Sequence, residues 1–172
     1  MNKIAFLLIG FCIMSNALKA QSDKSANSMP ASKAIYGELG GSGLVFSANF
    51  DSRFKGHKGL GFRAGLGFFG AASGGEADGI ITIPVGINYL FGKGEGPHHF
   101  EMGLTYTYLS TASSTFGDEA STFFFHPHFG YRFTKPSNSF NGRIYIGPLI
   151  GDGFVFFPFG GLSVGYTLPN RK

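Results

Sequence analysis

The residues with most scope for chemistry in this 172-residue chain are two histidines set two apart, His126-Pro127-His128. In an extended strand that spacing puts both imidazoles on one face, which suits a shared metal ion or acid/base work. No third ligand follows from spacing, so the pair reads as interior hydrogen-bonding histidines, and neither a metal nor a cofactor is expected. A second pair, His98-His99, lies beside the Lys93 to Pro97 turn and is expected to decorate a solvated end. The glycine-rich phrases Gly40-Gly41-Ser42-Gly43 and Gly65-Leu66-Gly67 neither open a helix nor end in the Gly-Lys-Ser/Thr of a nucleotide site. What remains is a set of charges, Glu38, Asp51, Arg53, Arg63, Glu101, Arg132 and Arg143.

The elements that must position these groups are strands. The chain has 28 glycines, 21 phenylalanines and 7 tyrosines with only 14% charged residues, a mixture that helices disfavour and sheets accept. From Leu44 to Phe54 the apolar Leu44, Phe46, Phe50 and Phe54 alternate with Ser47, Asn49, Asp51 and Arg53. The same period of two runs through Leu60 to Phe68, Ile81 to Phe91, Phe100 to Leu109, Phe123 to Thr134, Phe140 to Ile146 and Gly161 to Leu168. In each, one face is greasy and the other polar or glycine-rich, and His126, His128 and the charged set fall on the polar face. An eighth segment, Ala34 to Gly40, has its apolar residues at odd positions whereas the next uses even ones. That flip requires either a hairpin or a bulge at Gly40 to Gly43. The hairpin is favoured because the connectors then alternate. Lys55 to Gly59, Gly92 to Pro97 and Lys135 to Ser139 are short, while Ala71 to Gly79 and Ser110 to Ser121 are longer and read as loops.

Periodicity does not choose the solvent, since a soluble β-sandwich also alternates. The polar face decides. It is mostly Gly, Ser, Thr and Asn, too sparse in charge for an aqueous exterior but suited to a narrow interior. A sheet turned greasy side out must meet lipid, and lipid cannot satisfy backbone amides, so the sheet must close. The expected fold is therefore all-β, an eight-stranded antiparallel up-and-down transmembrane β-barrel over residues 34–168. Tyr89, Phe91, Tyr108, Tyr131, Phe133 and Tyr166 are placed to form interfacial girdles. A barrel of this size is just wide enough for its side chains to fill. Asp51 and Glu101 are expected to pair with Arg53, Arg63, Arg132 and Arg143, with Glu38 as a further candidate, most of them in one layer that plugs the periplasmic half, because unpaired buried charges cost several kcal/mol each.

Residues 1–20 carry the parts of a secretory signal, with Lys3, an apolar run from Ile4 to Met14 and an ending Ala17-Leu18-Lys19-Ala20. Residues 21–33 read as a flexible leader and 169–172 as a C-terminal tail. The single cysteine, Cys12, lies inside the signal and follows the bulky Phe11, which argues against both a lipid anchor and a disulfide framework. Loss of Lys3 and Lys19 lowers the formal charge of +4 to about +2, without the basic stripe of a nucleic-acid binder. No nucleic acid partner is expected.

The chain resembles the small outer-membrane β-barrel proteins of Bacteroidota, similar in architecture to OmpX/OmpA-type barrels. The phrases that carry the likeness are Tyr36-Gly37-Glu38-Leu39-Gly40-Gly41, Ile83-Pro84-Val85-Gly86-Ile87-Asn88-Tyr89-Leu90-Phe91-Gly92-Lys93, His99-Phe100-Glu101-Met102-Gly103, Gly130-Tyr131-Arg132-Phe133 and Gly160-Gly161-Leu162-Ser163-Val164-Gly165-Tyr166. The resemblance implies residence in the cell outer membrane, with its lipid and lipopolysaccharide and the barrel assembly machinery as partners, and it brings no agreed activity with it. Some eight-stranded outer-membrane barrels are lipid A deacylases with a His-x-Ser arrangement; here His128 stands where that serine would be, and no enzyme is expected. The leading reading is a structural or surface-interaction barrel. The rival readings are a small transport or ligand-binding barrel and a lipid-modifying enzyme. No loop partner is legible in the Gly/Ser/Asp-rich connectors. Barrels of this kind usually end on an aromatic residue, whereas here Leu168 ends the alternation and Pro169-Asn170-Arg171-Lys172 follows. Deleting residues 169–172 is expected to leave membrane insertion intact in a fractionation assay, and complete loss would contradict that.

Overall fold

A computed structural model describes residues 31–73, 76–92, 96–112, 120–134 and 139–168. The signal segment, most of the leader and the C-terminal tail lie outside the described residues. Eight strands follow in chain order: β1 (Lys33–Gly40), β2 (Phe46–Arg53), β3 (Gly59–Ser73), β4 (Glu76–Phe91), β5 (His98–Ala112), β6 (Ala120–Thr134), β7 (Phe140–Gly151) and β8 (Phe154–Leu168). Each pairs antiparallel with the next, and β8 returns to β1 with Lys33 opposite Leu168 and Gly40 opposite Gly161. The sheet is thereby a closed barrel.

The alternation in sequence maps directly onto the wall. Ile35, Phe46, Phe62, Leu66, Ile83, Ile87, Met102, Phe129, Ile144 and Leu162 point outward and are exposed. Their neighbours Tyr36, Asn49, Arg63, Asn88, Glu101, His128, Arg143 and Ser163 are buried inside. The flip across Gly40 to Gly43 is a hairpin: β1 and β2 pair from Lys33 opposite Ser52 to Leu39 opposite Phe46. The connection is a short 3-10 turn, Gly41–Gly43, closed by Gly40 N–H donating to Val45 O at 2.9 Å. Gly40 and Gly41 sit at φ of 71° and 64°, the left-handed region that a side chain disfavours.

Three connectors differ from their expected form. The Ala71 to Gly79 loop is mostly hairpin, with Gly70 opposite Gly79 and Ser73 opposite Glu76. Likewise Thr111 stands opposite Ala120, so most of the described part of Ser110 to Ser121 is strand. Small polar residues suggest a loop by composition, yet the ladder is made of backbone groups and continues once its register is set. The third difference is an omission. β7 and β8 run on to a two-residue turn at Asp152-Gly153, with Gly151 opposite Phe154 and Gly153 at φ 75°. Asp-Gly between apolar runs is a strong hairpin signal. The interruption that hides it is a bulge where the β7–β8 register shifts between Gly147 and Leu149, with Pro148 on β7 facing Phe157-Pro158 on β8; neither proline has an N–H to give to the ladder.

The wall is uneven in height. β1 and β2 have 8 residues each, whereas β3 has 15 and β4 has 16. Pairing of β1 with β8 stops at Gly40 opposite Gly161, and pairing of β2 with β3 stops at Ser47 opposite Gly67. At that height the Gly41–Gly43 turn folds into the lumen, where all three residues are buried. Small residues also set how tightly strands fit around Tyr145. A Cβ on Gly130 would lie 2.5 Å from the Tyr145 Cα, whereas one on Gly37 would find nothing nearer than a Phe46 ring carbon at 3.8 Å. Gly130→Ala is therefore expected to destabilise the barrel by about 1–3 kcal/mol through overpacking, and Gly37→Ala to be near neutral, read as the temperature at which the compact gel band is lost. Equal effects of the two would contradict this packing.

Candidate functional site in the barrel interior

Closure of the sheet turns the polar face of every strand toward one axis, and the interior is organised in levels along it. At the level nearest the start of β1 and the end of β8, Asp51 on β2 accepts from Arg53 Nη2 at 2.9 Å, from Arg132 Nη1 at 3.1 Å and Nη2 at 3.0 Å, and from Asn88 Nδ2 at 2.8 Å. Glu101 on β5 accepts from Arg132 Nε at 2.8 Å and Nη2 at 2.6 Å, and from the same Asn88 amide at 2.7 Å. Asn88 also accepts from Arg53 through its oxygen, so one amide joins both carboxylates to the guanidinium. Arg143 Nη1 lies 3.4 Å from Asp51 and 3.9 Å from Glu101. Its guanidinium carbon sits 3.8 Å from the centre of the Tyr36 ring, an arrangement that favours a cation over an aromatic face.

Glu38 and Arg63 form a separate level. Arg63 stands opposite Asp51 in the ladder but turns away from it, and its Nη2 donates to both Glu38 oxygens at 2.9 and 3.0 Å and to Asn49 Oδ1 at 3.1 Å. Its Nη1 reaches the Tyr145 hydroxyl at 3.3 Å. The expected single layer is thus two, because the long Arg63 side chain reaches along the barrel axis to the one carboxylate that has no arginine beside it. Every member of the charged set is buried: Glu38 is 0% exposed, Arg63 1%, Asp51 2% and Arg143 3%.

The third level is the inturned hairpin. Ser42 is completely buried; its Oγ lies 3.2 Å from His126 Nδ1 and its N–H donates to the Tyr145 hydroxyl at 3.3 Å. Thr107 donates to Ser42 O at 2.9 Å and Thr82 to Gly43 O at 3.2 Å. Four strands therefore hold one turn in the lumen. Leu44, just past it, is a non-glycine residue at φ 70°, a conformation kept only where the surroundings fix it.

His126 and His128 both face the interior, with ring centres 5.4 Å apart. His128 Nδ1 bonds the His126 carbonyl at 3.0 Å, and its ring lies 4.7 Å from that of Tyr145. Among the described residues no group of three or more His, Cys, Asp or Glu is placed to hold a metal. Ser42 and His126 do form a hydroxyl–imidazole pair, drawn from the β1–β2 turn and from β6. Both side chains are fully buried, and their shared contact holds the turn in place. His99 corrects the expectation of a solvated end. It is 5% exposed, because β5 begins at His98 and the outward Phe100 forces its neighbour inward. His98 remains outside, bonded to Tyr131 and 5.4 Å from the Phe133 ring.

Alternation alone placed Asn49, Asn88 and Tyr145 on the polar face, though nothing in it marked them as the junctions of the network. Ser42 carried no signal, since it lies in a glycine-rich turn whose inward fold depends on the short β1 and β2. No protein-family model and no curated protein matches the chain. Its barrel superposes on the N-terminal β-barrel domain of Pseudomonas aeruginosa OprF with a TM-score of 0.54 and 10% identity, covering 80% of this chain and 96% of that one. The fold is the closed eight-stranded barrel of that domain. Neisserial surface protein A aligns with a TM-score of 0.49 and 13% identity over 80% of this chain and 94% of its own. The likeness concerns the path of the wall; at such identity the interior described above belongs to this sequence.

Removing one partner from a buried ion network leaves the others uncompensated, which costs about 3–5 kcal/mol. Asp51→Ala, which strips the acceptor from Arg53, Arg132 and Asn88, is expected to lower barrel stability by that order. Ser42→Ala removes one neutral hydrogen bond and is expected to cost about 1 kcal/mol. Denaturant unfolding of the reconstituted protein would rank the two, and a larger loss for Ser42→Ala would overturn the ranking.

Proposed function

We propose that this protein is a structural and surface-interaction barrel of the outer membrane, with a side-chain-filled interior and connectors displayed at the end away from the chain termini. The observation that carries the reading is the inversion of the usual arrangement. Large apolar side chains such as Leu66, Phe68, Ile144, Val155 and Leu162 are 53–71% exposed around the outside, while the charged set is buried inside. Such a surface is tenable in hydrocarbon and would aggregate in water. Pairs of aromatic rings near the terminal end, Tyr89 with Phe91 at 4.5 Å and Phe91 with Phe100 at 6.0 Å, support an interfacial girdle there. The likeness to the β-barrel domain of OprF supports the closed-barrel fold that this reading requires. Lipid, lipopolysaccharide and the barrel assembly machinery are the partners this reading entails.

A transport role is disfavoured by the interior. Two levels of paired charges and the inturned hairpin fill the lumen in succession, so an ion would have to displace Asp51–Arg132 and Glu38–Arg63 in turn. A lipid-modifying role is disfavoured by burial, since the Ser42–His126 pair is sealed from the outer face. The protein folded in planar bilayers is expected to show no steady conductance, together with heat-modifiable migration on gels. Sizeable, long-lived channels would refute the filled interior, and a product recovered only from soluble periplasm would refute the location.

A further inference from the structure

The charges buried in the lumen do not balance. Among the described residues, the guanidiniums of Arg53, Arg63, Arg132 and Arg143 share it with only three carboxylates, Glu38, Asp51 and Glu101. Arg63 and Glu38 pair one to one at their own level. The excess positive charge therefore sits with Arg53, Arg132 and Arg143, which divide Asp51 and Glu101 among them. Each oxygen of those two carboxylates already accepts from Arg53, Arg132 or Asn88. Arg143 is the cation left over. Its Nε donates to Asn141 Oδ1 at 3.2 Å, but neither Nη1 nor Nη2 makes a hydrogen bond with a described residue, and both are buried. The hydroxyls of Tyr36 and Ser163 are buried and unpartnered in the same way. Ser163 on β8 stands directly opposite Arg143 on β7, and both side chains face inward. Tyr36 on β1 stacks on Arg143, with 3.8 Å between ring centre and guanidinium carbon. It also lies against β8, where a Cβ on Gly165 would come 2.3 Å from the Tyr36 Cβ.

We infer that Arg143, with the Tyr36 and Ser163 hydroxyls, forms a binding site for a small monovalent anion such as chloride, taken up as the barrel closes. The groups that meet there are donors: a guanidinium has no acceptor, and a hydroxyl can turn its proton toward an anion. A buried cation without a full partner is costly, and one negative charge balances the level. The face of the Tyr36 ring attracts the cation without neutralising it. The carboxylates leave room in charge for the ion. Glu38, opposite Ser163 on β1, is committed to Arg63 through both oxygens, and Asp51 approaches Arg143 through Nη1, which leaves Nη2 and the two hydroxyls. A spherical ion carries the single charge required and imposes no bonding direction on those donors. The ion is structural, held at one level of the filled lumen and not passed along it. The site needs only a closed lumen, whichever membrane holds the barrel.

The test follows urea unfolding of the protein in detergent micelles while sodium bromide replaces sodium gluconate, whose anion is too bulky for the lumen, at constant ionic strength. A ligand bound by the folded state alone raises the folded-to-unfolded ratio by about tenfold for each tenfold increase in its concentration above the dissociation constant. The unmodified protein is expected to follow that slope with bromide and with chloride. Arg143→Met leaves Arg53 and Arg132 facing Asp51 and Glu101 at equal charge, and is expected to fold and to lose the dependence. Ser163→Ala is expected to keep it but to need more bromide. Crystals grown in bromide give a reading that needs no variant, an anomalous peak in the lumen within hydrogen-bond distance of Arg143 Nη2. A ratio indifferent to bromide in the unmodified protein, or a slope unchanged in Arg143→Met, would overturn the proposal. So would ordered water, without an anomalous peak, on Arg143, Tyr36 and Ser163.

Discussion

The return of β8 to β1 is the constraint on which the rest of the structure depends. A sheet with a greasy outer face has unpaired amides at any open edge, and hydrocarbon offers them no partner. Pairing Lys33 to Gly40 with Leu168 to Gly161 removes those edges over the lower wall. Once the ring is closed, every side chain on the polar face converges on one axis. Seven charged residues must then coexist in a space that excludes bulk water, and they do so only as mutual partners.

That convergence explains the economy of the network. Asp51 and Glu101 share Arg132 and Asn88, so a few polar groups satisfy several charges. Burial makes such pairs costly to break while adding little net stability over an apolar core. Their value lies in uniqueness, because a slip of one residue in a charged strand would bring its charges onto the greasy outer face. The network therefore fixes register at the same time as it fills the lumen. The short first hairpin completes the filling from the other side, with Ser42 held by His126 and Tyr145.

Much of this arrangement is written in the chain as simple parity. Even and odd positions separate Phe100 from Glu101, Tyr131 from Arg132 and Ile144 from Arg143, and the fold preserves that separation. Parity failed where composition was allowed to outweigh it. His99 follows from Phe100 by alternation, yet its place beside a turn made it look solvated. The Gly/Ala/Ser stretch from Ala71 to Gly79 lacks apolar side chains, but its backbone continues the ladder regardless. The Asp152-Gly153 hairpin was masked by Pro148 and Pro158, where the ladder is locally interrupted.

The sequence by itself determined the wall: a period of two carries facing information within each strand, and the polar, glycine-rich face is the one that turns inward. Only the tertiary structure decided the contents. Partners such as Glu38 with Arg63, or Ser42 with His126, come from elements separated in the chain, and their meeting depends on ring closure, side-chain reach and the unequal heights of β2 and β3. Those are properties of the closed barrel, and no local pattern encodes them.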